Sequence, residues 1–148
     1  MARVPAQAVG RLPQASFLFC VLGAAAEYVA TILYAELAKR SDASQVTELL
    51  RSIARQEARH FAFFLAAARV RGRRMSVVNG HLSRNALRAI WEPIGVPTLG
   101  KDAWLEMFAG WLDDDHLRHR LEMMDRVVDS IPQLEGMRLM GTFLDEVA

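Results

Sequence analysis

Apolar residues recur along this chain at helical spacing, and no run alternates apolar with polar positions as a half-buried strand would. After a lead-in holding Pro5 and Gly10, the first sustained segment, residues 13–39, is rich in Ala and Leu and nearly free of charge. Pro13 suits an opening turn, where its missing N–H would be unsatisfied in any case, and Lys39 and Arg40 suit the negative end of a helix dipole. Ser41 and Asp42 read as a short turn. Asp42, with Gln45 three residues on, predicts a capping box for a second helix that runs through Arg71 and stops at Gly72. Residues 73–80 then read as a basic loop, 81–91 as a short helix, and 93–100 as an irregular crossing with two prolines. Two more helices are expected over 101–112 and 114–130, with Asp113 as N-cap between them. Pro132 ends the second, and a last short helix covers 134–147. The expectation is one all-α domain, a long antiparallel helical hairpin followed by shorter helices.

Composition narrows the classes. A chain of 148 residues, 52% hydrophobic and 24% charged, can bury a core and is not a disordered segment. A net charge of +1 gives no general attraction to nucleic acid, and none is expected as a partner. The single cysteine, Cys20, excludes an intrachain disulfide framework and makes a reducing compartment, the cytoplasm, the simpler expectation. Residues 16–35 carry one charge and are long enough to span a bilayer. That charge, Glu27, sits at the middle of the stretch, where insertion costs roughly 2.5–3.5 kcal/mol, which argues against a membrane span. Arg3 and Arg11 ahead of apolar residues 17–23 suggest a secretory signal, but the helical pattern continues unbroken to Lys39.

Glu27 is therefore an acid stranded in an apolar helix, and the next helix carries Glu57-Ala58-Arg59-His60. A Glu-x-x-His pair puts both side chains on one helical face. At about 1.5 Å per residue, Glu27 and Glu57 lie at nearly the same height above the turn, so they can meet across a hairpin. The face of Glu27 includes Cys20, Gly23, Ala24, Ala30, Thr31 and Tyr34, mostly small residues that permit close approach. The matching stripe on the second helix is Leu50, Ile53, Glu57, His60, Phe61 and Phe64, otherwise a core stripe. Carboxylates in such surroundings need neutralising, and carboxylate with imidazole suits iron, manganese or zinc. The plainer alternative pairs Glu57 with Arg55 or Arg59 and leaves His60 as a core histidine.

Glu27 followed by Gln56-Glu57-Ala58-Arg59-His60 resembles one repeat of the ferritin-like superfamily, especially the second half of soluble acyl-carrier-protein desaturases, over residues 14–71. The resemblance implies a di-iron site with Glu27 as terminal ligand, Glu57 as bridging carboxylate and His60 as imidazole ligand. It also implies oxygen-dependent oxidase, oxygenase or desaturase-like chemistry, with an apolar substrate or an acyl carrier protein as partner. No companion Glu and Glu-x-x-His repeat stands upstream. A homodimer that lends half a site from each chain completes the set. Among the later helices, Glu106, His119, Glu122 and Asp125 are weaker ligand candidates, because they lie at a different depth from their own turn.

Tyr28 and Tyr34 are possible redox neighbours of the site. Arg69, Arg71, Arg73 and Arg74 form a basic helix end that suits a dipole and an anionic partner. Trp104, Trp111, Phe108 and Met107 read as core, and Cys20 has no evident activator. The competing reading from another class is a metal-free helical bundle acting as a binding or assembly module, and a third is a protein anchored in a membrane through its first helix.

Overall fold

A computed structural model describes residues 12–112 and 115–145. Among them there is no strand, and seven helices follow in order. They are α1 (Leu12–Arg40), α2 (Ser44–Arg73), α3 (Val77–Ile90), α4 (Val96–Leu99), α5 (Lys101–Leu112), α6 (Asp115–Asp129) and α7 (Met140–Asp145). The all-α expectation holds, and the long hairpin is α1 with α2.

A helix that is apolar on every side has to be enclosed, and α1 is the one around which the others gather. Phe17, Val21, Ala25, Val29 and Ile32 form one core with Leu121, Met124 and Val128 of α6 and with Leu134, Met140 and Leu144 beyond it. Each of these burials apart from the smaller Ala25 contributes about 1.5–3 kcal/mol relative to exposure. The core thus lies between α1 and the C-terminal segment. In contrast, α2 contributes only Ala68 and Gly72 as buried residues. The helix flagged in the sequence as long and apolar enough to cross a membrane is half buried inside this arrangement.

Glu36 is the charged exception in the enclosed part of α1, 4% exposed. Its Oε1 accepts from Arg120 Nη1 at 2.6 Å and from Lys39 Nζ at 2.7 Å, so the charge is matched and α6 is tied to α1. Trp104 is buried as expected, its Nε1–H donating to the Ile94 carbonyl at 2.9 Å. Met107 is exposed instead. The side chains of Phe108 and Trp111, the proposed cap Asp113, the lead-in at 1–11 and Val147 lie outside the described residues.

Several boundaries differ from the sequence expectation for local reasons. No capping box forms at Asp42. The N-cap of α2 is Ala43, which makes no side-chain cap bond, and the Thr47 hydroxyl reaches the Ser41 and Ala43 carbonyls instead. Gly72 does not stop α2. It sits inside the helix because a Cβ there would come within 2.5 Å of the Pro132 carbonyl oxygen, so its role is close packing. The expected loop at 73–80 is short, because Ser76 Oγ accepts the Asn79 N–H at 3.3 Å and starts α3 at Val77. Residues 93–100 contain the one-turn α4 between Gly95 and Gly100, whose φ values of 95° and 82° are left-handed. The last helix begins at Met140 rather than 134. The preceding turns place Gln133 and Gly136 at positive φ, and the Asp125 carboxylate then caps the N–H groups of Leu139, Met140 and Gly141.

Candidate metal centre

The turn between Arg40 and Ser44 makes α1 and α2 antiparallel neighbours, and Glu27 and Glu57 are equidistant from Asp42 at its middle. Gly23 lets the helices approach. A Cβ there would lie 2.9 Å from the Phe64 ring, which therefore rests against the α1 backbone. One turn after Glu57, His60 Nδ1–H donates to Glu57 Oε2 at 3.0 Å and lies 4.0 Å from Glu27 Oε1. One ligand atom from each of the three residues falls within 4.8 Å of the others. Among the described residues this is the only group of three or more such side chains so gathered.

The electrostatics follow from two acids in one place. Burial first, and then hydrogen bonding and like-charge repulsion from Glu57, push the Glu27 carboxyl up to about 7, with His60 opposing. Glu57 is held below the usual carboxylate range, chiefly by the hydrogen bond from Glu27 and further by His60, against its own partial burial. A proton on Glu27 bridging to ionised Glu57 is therefore the neutralising device in the chain alone. A divalent cation would take the place of that proton, and two carboxylates with one imidazole nitrogen are a suitable donor set for iron, manganese or zinc.

The expected register and close helix approach are found, and the expected burial is not. Glu27 and Glu57 side chains are 22% and 21% exposed, but His60 is 60% exposed, so it is not a core histidine. The triad sits at the edge of an open face that also carries Phe19, Leu49 and Phe63, each exposed by 60% or more. The signal was present in the sequence. Val46, Leu49, Phe63 and Val70 form a second apolar stripe on α2, beside the one that contains Glu57.

The other candidates are not drawn in. Glu57 turns to Glu27 and His60 rather than to Arg55 or Arg59. His119, Glu122 and Asp125 line a separate cleft of about 420 Å³ with Asp129. There the Asp125 oxygens are taken by three backbone amides, and Glu122 pairs with Arg118 at 3.3 Å. Glu106 is exposed on α5 and joins neither group. The Tyr28 hydroxyl donates to the Arg120 carbonyl at 3.1 Å, with burial raising its pKa, while Tyr34 is half-buried two turns beyond Glu27. Cys20 is buried in the core.

Residues 21–88 match the rubrerythrin family model. The rubrerythrin-like segment is a little under half of the chain, takes in most of α1, all of α2 and nearly all of α3, and contains Glu27, Glu57 and His60. The similarity runs to the ferritin-like superfamily, as the motif does, through rubrerythrin rather than through the acyl-carrier-protein desaturases. The strandless helical architecture is consistent with that fold. No curated protein and no solved structure matches the chain.

Proposed function

We propose that this chain is a ferritin-like metal-binding protein of the non-haem di-iron type, an oxygen-dependent oxidoreductase in which each chain holds half a site. The observation that carries the reading is the convergence of Glu27, Glu57 and His60 from two helices onto one point. A second copy packed on the open α1–α2 face brings the same three ligands and turns two hairpins into a four-helix bundle.

Bound iron would supply electron transfer and dioxygen chemistry. The chain's own part is to hold and shield. Glu27 and Glu57 would provide the carboxylates, with the Glu27 proton going to solvent on binding. His60 provides the imidazole from Nδ1, and Phe61 and Phe64 of the same helix supply apolar walls that limit water. A mostly apolar groove of about 330 Å³ between α1 and the 90–98 segment, lined by Leu22, Ala26, Ile90, Trp91 and Pro93 with Glu92 in its wall, suits a substrate with an apolar body.

The test is metal content per chain by elemental mass spectrometry, together with mass in solution, for the wild type and for Glu57→Ala/His60→Ala. About one iron per chain in a dimer, lost in the double variant, is expected. Folded wild-type protein that binds no metal, with an equally stable variant, would leave the binding or assembly module as the function.

A further inference from the structure

Between Glu57 and Glu92 the sequence holds seven arginines and no acid, in a chain whose net charge is +1. The positive charge is therefore concentrated on the last turns of α2 and on α3. At the junction of these helices Arg71, Arg73 and Arg74 are exposed, and the next exposed apolar residues are Val77 and Val78, at 65% and 68%. Leu82, one turn beyond Val78, is 52% exposed, and Val70 adds a further apolar contact at 46%. The opposite side of α3 is closed, with Gly80 against Gln133, Ser83 and Leu87 buried, and Arg84 Nη1 donating to the Glu135 carbonyl at 2.6 Å. Val78 and Leu82 are thus on the side of α3 that no other described element covers, and Val77 is exposed at the first turn of the helix.

Beside them lies a cleft of about 620 Å³ lined by Gln14, Ser16, Arg71, Arg74, Ser76 and Asn79, with no carboxylate in its lining. Ser16 Oγ accepts from Arg71 Nε at 3.0 Å and the Ala67 carbonyl from Arg71 Nη1 at 3.3 Å, which steadies that guanidinium in the cleft wall.

We propose that this end of the molecule is a peripheral docking surface for an anionic lipid bilayer. Val77, Val78 and Leu82 enter the interfacial layer, Arg73 and Arg74 meet the surface charge, and the Arg71–Arg74 cleft receives a headgroup phosphate. The pairing of cations with exposed aliphatic side chains selects the bilayer over other polyanions. A nucleic acid offers nothing for Val77, Val78 and Leu82 to enter, and its single-stranded forms call for aromatic platforms. No Phe, Tyr or Trp occurs between Phe64 and Trp91. Of α1 only the first turns, through Gln14 and Ser16, border this surface while the rest stays in the bundle, and the proposal does not depend on the metal centre.

The experiment is flotation of the full chain with phosphatidylcholine vesicles, with and without phosphatidylserine, at low and physiological salt. The wild type is expected to float only with the anionic vesicles. Arg73→Glu/Arg74→Glu should weaken the partition by at least about tenfold, since each arginine near such a surface contributes about fivefold. Val77→Asn/Val78→Asn should keep binding at low salt and lose it at physiological salt, where apolar insertion has to carry more of it. Helical circular dichroism and metal content unchanged from the wild type verify that both variants remain folded. Absence of wild-type flotation, flotation equal in the charge-reversed variant, or complete displacement of the vesicles by a homopolymeric RNA would each overturn the assignment.

Discussion

Toward α6 and α7, α1 presents Phe17, Val21 and Val29 with no exposure at all, against Leu121, Met124 and Leu144, which are equally enclosed. Toward α2 the same helix presents Gly23 and Glu27, and the helix that meets it runs for 30 residues yet buries only Ala68 and Gly72. One side of α1 is a finished core several side chains deep. The other is a single layer whose outer surface still carries Phe19, Leu49 and Phe63. The three convergent polar side chains stand at the boundary of the unfinished side, where burial and the neighbouring Glu57 push the Glu27 carboxyl up to about 7. The contrast separates what holds this chain together from what it offers to something else.

The sharpest way to break that contrast is to truncate both sides. Leu121→Ala should cost about 2–5 kcal/mol in denaturant unfolding, the range for deleting a fully enclosed aliphatic side chain. If Phe63→Ala at concentrations too low for self-association costs as much, the two sides are energetically alike and the comparison fails. Next in size is association. Phe63→Glu should weaken the proposed dimer at least about tenfold by sedimentation while leaving the helical spectrum intact, because a rim charge opposes a second apolar face. Gly23→Ala should cost about 1–3 kcal/mol, since the new methyl group meets the Phe64 ring and forces it outward. A Phe64 environment unchanged by near-ultraviolet dichroism in that variant would contradict the close approach.

A smaller effect is expected from pH. The folded carboxyl of Glu27 titrates at about 7 and the unfolded one at 4.5, so between these values the folded chain binds more protons. In chelator-treated protein, the stability linked to Glu27 is fully present below about pH 4.5 and is lost as pH rises through about 7. At about 1.4 kcal/mol per unit the whole shift would be about 3 kcal/mol; solvent screening of this part-exposed pair reduces the loss to roughly 1 kcal/mol, and Glu27→Gln removes it. Glu57 acts in the opposite sense, contributing above its ordinary value and failing as pH falls through its lowered one. A Glu27→Gln protein with the wild-type slope from pH 5 to 7 would assign the shared proton elsewhere. Smallest of all is Phe63→Ala in the dilute monomer, within about 0.5 kcal/mol of wild type, as for any exposed position.

Much of the fold was legible because it rests on short-range physics. Helical periodicity gave the hairpin, and the turn at 41–43 gave the register that brings Glu27 to Glu57. What was not legible depended on contacts from far along the chain. Gly72 looks like a helix stop until the Pro132 carbonyl is placed against it. Residues 134–139 look helical until the Asp125 carboxylate, ten or more positions earlier, gathers the amides that start α7. His60 looks like a core residue because the stripe it shares with Leu50 and Phe61 is apolar. Its exposure depends on which of two adjacent apolar stripes of α2 meets α1, and periodicity alone does not choose between them.

The packing of Gly72 has a mechanical consequence. At that end α2 is gripped by the Pro132 segment, by the bond from Arg69 Nη2 to Ser130 Oγ at 2.6 Å, and by the enclosed Ala68. At the other end residues 42–46 are all exposed. Thus α2 is held unequally, from two sides at 68–72 and toward its start by α1 and the turn alone, with Glu57 and His60 near midspan. An element supported in this way would yield more toward the turn than at 68–72, by bending rather than by repacking. Amide hydrogen exchange that slows steadily from residue 47 toward residue 68 would be the signature of such a beam.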